Sequence, residues 1–247
     1  MPHRSARTQR AIVAAALLVG PAPRAPRAVP AGTGTVEGTV LLSPSLAQRR
    51  PRFRIYADPG PGQQPPDPAV LDTASEMANV VVYLVPESGT PAPDAGAPPA
   101  EHPTVSQSGE RFVPHVLAVV RGTTVDFPNR DDVYHNVFSL SAPAVFDLGR
   151  YPKGESRAVT FDRPGIVQVF CHIHSDMSAV VLVLDNGLFA KPDRAGHFEI
   201  RDVPAGTYAV VGWHERIAPV RQSVRVAAGA AATVTLDIPL PPPAHAP

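Results

Sequence analysis

The 247-residue chain carries 22 basic and 22 acidic side chains, 31 prolines, 18 glycines and one cysteine. Zero net charge argues against a nucleic-acid binder, which presents a basic face, and one cysteine excludes an intramolecular disulfide framework. About one residue in eight is proline, against about one in twenty on average, which forbids long helices; the length suits one large or two modest domains.

Residues 1–31 have the form of a signal peptide. Arg4, Arg7 and Arg10 precede an uncharged apolar run over 11–20, and Val29 and Ala31 fit the −3 and −1 positions of a cleavage site before Gly32. A run of about ten residues is too short to span a bilayer, which takes about 20. The expectation is an exported, periplasmic protein with no membrane span in its mature form.

Beyond the leader, short runs rich in β-branched and aromatic residues alternate with turn residues. Strands are expected at 34–42, 79–85, 116–120, 123–127, 134–140, 158–161, 166–170, 180–184, 222–226 and 232–238. The only helical turn expected lies within 69–78. Pro164-Gly165 has the form of a type II turn. Residues 51–68, 86–103 and 239–247 are rich in Pro and small residues and have the composition of loops and linkers. Many short strands with turns every ten or so residues predict an all-β sandwich fold.

Within 193–214 the wording G-H-F-E-I-R-D-V-P-A-G-T-Y resembles the carboxypeptidase regulatory-like domain, a small sandwich of the prealbumin type. That resemblance implies opening strands of the G-x-V-x-G-x-V and V-x-V-x-L kinds, which occur far upstream at 34–40 and 80–84. The expected organisation is a signal peptide (1–31), one regulatory-like sandwich made of 32–86 with 187–240, a Pro-rich linker (87–111), an inserted or adjacent domain (112–186) and a tail (241–247), with 79–85 as an alternative start of the inserted domain.

The chemistry concentrates in that insertion. Cys171, His174 and Met177 stand at C-x2-H-x2-M spacing just after a strand, and His135 lies on a separate strand upstream. One thiolate, two imidazoles and a weakly coordinating thioether are the donor set of a blue-copper electron-transfer site. Here the sequence is similar to the cupredoxins, the plastocyanin and amicyanin family: F-V-P-H-V-L-A-V-V-R-G-T-T-V-D-F-P-N opens the domain, and H-N-V follows. H-N-V-F-S-x-S, F-D-L-G-x-Y and P-G-x-V-x-V-F-C-x-I-H resemble the methylamine-utilisation-type exported cupredoxins in particular. The resemblance implies a Greek-key β-sandwich holding one type 1 copper through His135, Cys171, His174 and Met177. It also implies electron-exchanging partners, a dehydrogenase as donor and a c-type cytochrome or oxidase as acceptor. Such loops usually carry proline beside the second His, whereas Ile173 and Ser175 stand there in this chain.

Around these donors, Asn136 is expected to tie its strand to the ligand loop through the Ser175 hydroxyl. Phe138 and Phe170 are expected to keep the site dry. His172, by strand alternation, faces away from Cys171, and His115 is expected to be a hydrogen-bonded structural residue. Trp213 and His214 are expected at a domain contact, and Asp131 and Asp147 as turn or rim residues. The four arginines within 49–54 form a basic patch able to steer an acidic partner.

Other chemistries fit less well. A Cys/His hydrolase would leave Met177 and His135 idle, and structural zinc sites seldom recruit Met. A multicopper oxidase needs several H-x-H pairs, and 172–174 is the only one. The strongest rival to electron transfer by a non-enzyme is a periplasmic copper carrier or store using the same site, although such proteins favour open Met/His-rich sites and this chain has three methionines.

Overall fold

A computed structural model describes residues 32–43 and 73–239. The leader expected at 1–31, the basic patch at 49–54, the loop at 51–68 and the tail at 241–247 lie outside the described residues. Among the described residues, no helix is long and apolar enough to cross a membrane.

The protein is all-β. The chain begins with β1 (Thr33–Leu42), α1 (Thr73–Met77) and β2 (Val81–Pro86). There follow β3 (Ser106–Gln107), β4 (Phe112–Val113), β5 (Val116–Val120), β6 (Thr123–Pro128), β7 (His135–Ser141), β8 (Ala144–Tyr151), β9 (Ser156–Phe161), β10 (Gly165–Phe170) and β11 (Ser178–Leu184). The last strands are β12 (Phe189–Ala190), β13 (His197–Pro204), β14 (Gly206–Trp213), β15 (Val220–Val226) and β16 (Ala231–Ile238).

These strands stack in layers. One sheet has the order β13-β1-β16 and the next β12-β2-β14-β15, so β1 and β2 pair with strands from the far end of the sequence. Val36, Val40, Leu84, Tyr208, Val210 and Leu236 are among the residues that fill the space between them. A third sheet runs β5-β11-β10-β7-β8, and the ribbons β6-β9 and β3-β4 face it across a second core.

Alternation along β11 explains the whole stack. Ala179, Val181 and Val183 point into the second core, while Val180, Leu182 and Leu184 point the other way. That outward row, with Val116 and Ala118, meets Val81, Tyr83, Phe189 and Trp213 of the sheet containing β2 and β14. An uninterrupted apolar run such as Ala179–Leu184 is what a strand buried on both faces requires.

The second core also takes in residues before 112. Residues 104–111, expected in the linker, carry β3, bridge Thr104 and Gln107 to Asp126 and Asn129, and bury Val105 and Gln107. A buried glutamine is tolerable because its amide donates to the Tyr151 hydroxyl (2.6 Å) and the Phe127 carbonyl (3.2 Å). β8 was also absent from the expected strands. It is an edge strand interrupted by Gly149 at φ 68°, and it forms because β7 supplies the hydrogen-bonding partner.

Lys191 joins the two sandwiches by donating from Nζ to the Val116 carbonyl (2.6 Å), and burial pushes its amine down to about 8. Between that value and the ordinary 10.5 the unfolded chain holds a proton that the folded chain has lost, so folding gains stability as pH rises. Lys191 is exposed along much of its side chain, so solvent screening reduces the effect; relative to Lys191→Met, the wild type is expected to become more stable as pH rises through this window. Urea unfolding of both proteins at neutral and alkaline pH checks this; parallel curves would contradict it.

Candidate metal centre

The site sits where three neighbouring strands end. β10 stops at Phe170, the loop 171–177 follows, and β11 starts at Ser178, which pairs directly with Phe170. Both roots of the loop are therefore fixed by one rung of the ladder. His135 opens β7, the strand on the other side of β10. Within the loop, the Met177 amide donates to the His174 carbonyl (3.1 Å), and the Ile173 amide points at the Cys171 sulfur (3.4 Å).

The loop and β7 bring together His135, Cys171 and His174, with one donor atom from each lying within 4.8 Å of the others. The two Nδ1 atoms are 3.1 Å apart, and the His174 Nδ1 is 4.0 Å from Cys171 Sγ. Separations of this size match a single ion with bonds of about 2.0–2.3 Å to nitrogen and sulfur. His135 is fully buried, Cys171 nearly so, and His174 is partly exposed. Met177 is 1 % exposed and packs in the same core as Cys171. A soft sulfur and two imidazoles facing one another are a donor set suited to copper.

Asp131 organises the buried histidine. Its carboxylate accepts from His135 Nε2 (2.9 Å) and from the backbone amides of Gly109 (2.7 Å) and Glu110 (2.9 Å). Burial alone would raise this carboxyl; those amides and the imidazole outweigh it and hold the group below its ordinary value. With Nε2–H committed to Asp131, Nδ1 keeps its lone pair for the site. Burial lowers the His174 value, with His135 adding to the effect against Glu110 and Asp131, which favours the neutral ring a metal requires. Asp131 was expected only as a turn or rim residue. The sequence signal for its role was its position four residues before His135 in a turn-rich segment.

Asn136 differs from the expectation as well. Its partner is not the Ser175 hydroxyl: Oδ1 receives the His172 amide (3.4 Å), and Nδ2 donates to Asp147 (2.7 Å). Asp147 also accepts the Gly149 amide (2.8 Å), so a residue expected at the rim aligns Asn136 with the ligand loop. His172 does turn away from Cys171 and lies flat on Phe138, with ring centroids 3.7 Å apart. Trp213 lies at the contact between sandwiches, but His214 turns into its own core beside Glu76.

Above the donors, Val133, Tyr134, Arg150, His172 and Ile173 surround the His174 edge in an open depression of about 840 Å³. Val133, Tyr134 and Ile173 are exposed apolar residues, so the route from the site to solvent passes through an apolar rim.

No protein-family model matches the chain, and no curated protein matches it. Solved copper proteins do. It is 31% identical to the Cu-containing nitrite reductase of Thermus scotoductus SA-01 over 38% of this chain and 24% of that one, at a TM-score of 0.33. It therefore spans about a quarter of the reductase. It is 26% identical to a purple cupredoxin from Nitrosopumilus maritimus over 31% of this chain and 84% of that one (TM-score 0.29). A single-residue mutant of amicyanin in its Cu(I) form is 22% identical over 41% of this chain and 99% of that one (TM-score 0.33).

Proposed function

We propose that this chain is an exported type 1 copper protein, not an enzyme, which passes single electrons between redox partners. On this reading 1–31 is a cleaved leader to the periplasm, and 32–86 with 187–240 form a regulatory-like sandwich around the copper-binding unit. The observation that carries it is the convergence of a buried sulfur and two Nδ1 atoms beneath a partly exposed imidazole edge.

Copper held there supplies a one-electron couple. His135, Cys171 and His174 hold it, with Met177 as a weak fourth donor. Asp131 orients His135, the Ile173 amide donates towards the Cys171 sulfur, and the paired roots of the loop resist rearrangement. The His174 edge, inside its apolar rim, is where a dehydrogenase would deliver an electron and a c-type cytochrome or oxidase would collect it.

The copper-loaded protein is expected to show a reversible one-electron wave and to retain its metal through repeated cycles against a competing chelator. Loss of copper to the chelator on first reduction would replace the shuttle with a copper carrier. Met177→Leu should keep an intense blue thiolate-to-copper band and shift the potential, because Met177 would be a weak thioether donor; an unchanged potential would remove Met177 from the donor set.

A further inference from the structure

The contact between the sandwiches reaches the root of the metal loop. His115 lies just before β5. Its Nε2 is 2.8 Å from both carboxylate oxygens of Glu215, and its Nδ1 is 2.9 Å from the Ser178 carbonyl. Glu215 and the Ser178 carbonyl therefore hold the His115 ring from its two opposite nitrogens. The His115 carbonyl in turn accepts the Val180 amide (2.8 Å). Ser178 is the residue directly after Met177.

Glu215 is itself held from both sides. Its neighbour His214 is fully buried, with Nε2 3.3 Å from Glu76, and Arg216 approaches the same buried carboxylate at 3.6 Å. Asn79 donates to that carboxylate at 2.8 Å. With 214 and 216 tied inward to Glu76, residue 215 between them is presented to the other sandwich. Lys191 makes a second tie to the adjacent Val116 carbonyl, and Trp213 packs on β5 and β11.

We propose that Glu215 is a positioning residue for the metal loop, acting from the sandwich that contains β1 and β14 through His115 on the Ser178 carbonyl. The sandwich that contains β1 and β14 is thus part of the copper site's support, and strands flanking the metal-bearing segment in the sequence help to set its loop. This rests on the copper reading for its consequence, but its mechanical content is testable without metal.

The test uses the mature full-length chain carrying Glu215→Ala, Glu215→Gln, His115→Ala or the Glu215→Ala/His115→Ala pair, with Tyr83→Leu loosening the same interface away from His115. In the metal-free proteins, amide hydrogen exchange at Met177 and Val180 is expected to quicken in every Glu215 and His115 variant, but not in Tyr83→Leu. Loaded with copper, Glu215→Ala should release it to a chelator roughly ten-fold faster, and the double variant should be no faster than His115→Ala alone. Unchanged exchange at Met177 and Val180 in Glu215→Ala would overturn the proposal, as would equal quickening in Tyr83→Leu. Quickened exchange in the Glu215 and His115 variants, with a wild-type protein that forms no blue copper complex, would uphold the positioning role and refute the copper reading.

Discussion

Asp131→Ala is expected to weaken copper binding by about 10- to 100-fold while leaving the fold in place. Three donors converge on this carboxylate, but they differ in their alternatives. The Gly109 and Glu110 amides belong to an exposed turn where water can replace the carboxylate. His135 Nε2 is fully buried and has no such access. Removing the carboxylate therefore frees the ring to rotate or to take the other tautomer, and either change spoils Nδ1 as a donor. Competition between the variant and a chelator of known affinity measures the effect, with circular dichroism showing that the sheets persist. Affinity equal to wild type would mean that His135 is held by packing alone, and the role given to Asp131 would fall.

Gly38→Ala is expected to cost about 3 kcal/mol or more of stability, although it adds one methyl group far from the metal. Gly38 lies in β1, the central strand of the β13-β1-β16 sheet, opposite Phe198 on one side and Val234 on the other. A Cβ there would overlap the Val234 carbonyl and lie 3.0 Å from the end of the Phe198 ring. The carbonyl is backbone and cannot rotate away, so β16 must move off β1 and expose part of the core that includes Val234 and Leu236. Urea unfolding reads the loss; stability within about 0.5 kcal/mol of wild type would show that the two strands tolerate a shift.

What was legible in the sequence was local. Strand alternation and β-branched runs placed ten strands within a few residues of their positions, because each run carries its own pattern. The meeting of Cys171 and His174 was legible because one short loop carries both, and that of His135 because it opens a strand with recognisable wording. The supports were not legible. Asp131 meets Gly109, Asn136 meets Asp147, and His115 meets Glu215 a hundred residues away, through single carboxylates that look like ordinary surface charge in a sequence. β3 was hidden because a buried Gln107 depends on Tyr151 and Phe127 from other strands, and β8 because an edge strand with a glycine bend has little propensity of its own. His214 beside Trp213 was misplaced because Glu76, its buried partner, sits on a helical turn far upstream.

The lone cysteine gives the most direct measurement. Copper(II) titrated into the purified protein is expected to produce an intense blue thiolate-to-copper band that saturates at one copper per chain. Cys171→Ser should abolish that band while the protein stays folded. A colourless copper complex, or a band that survives Cys171→Ser, would contradict a type 1 copper centre at His135, Cys171 and His174.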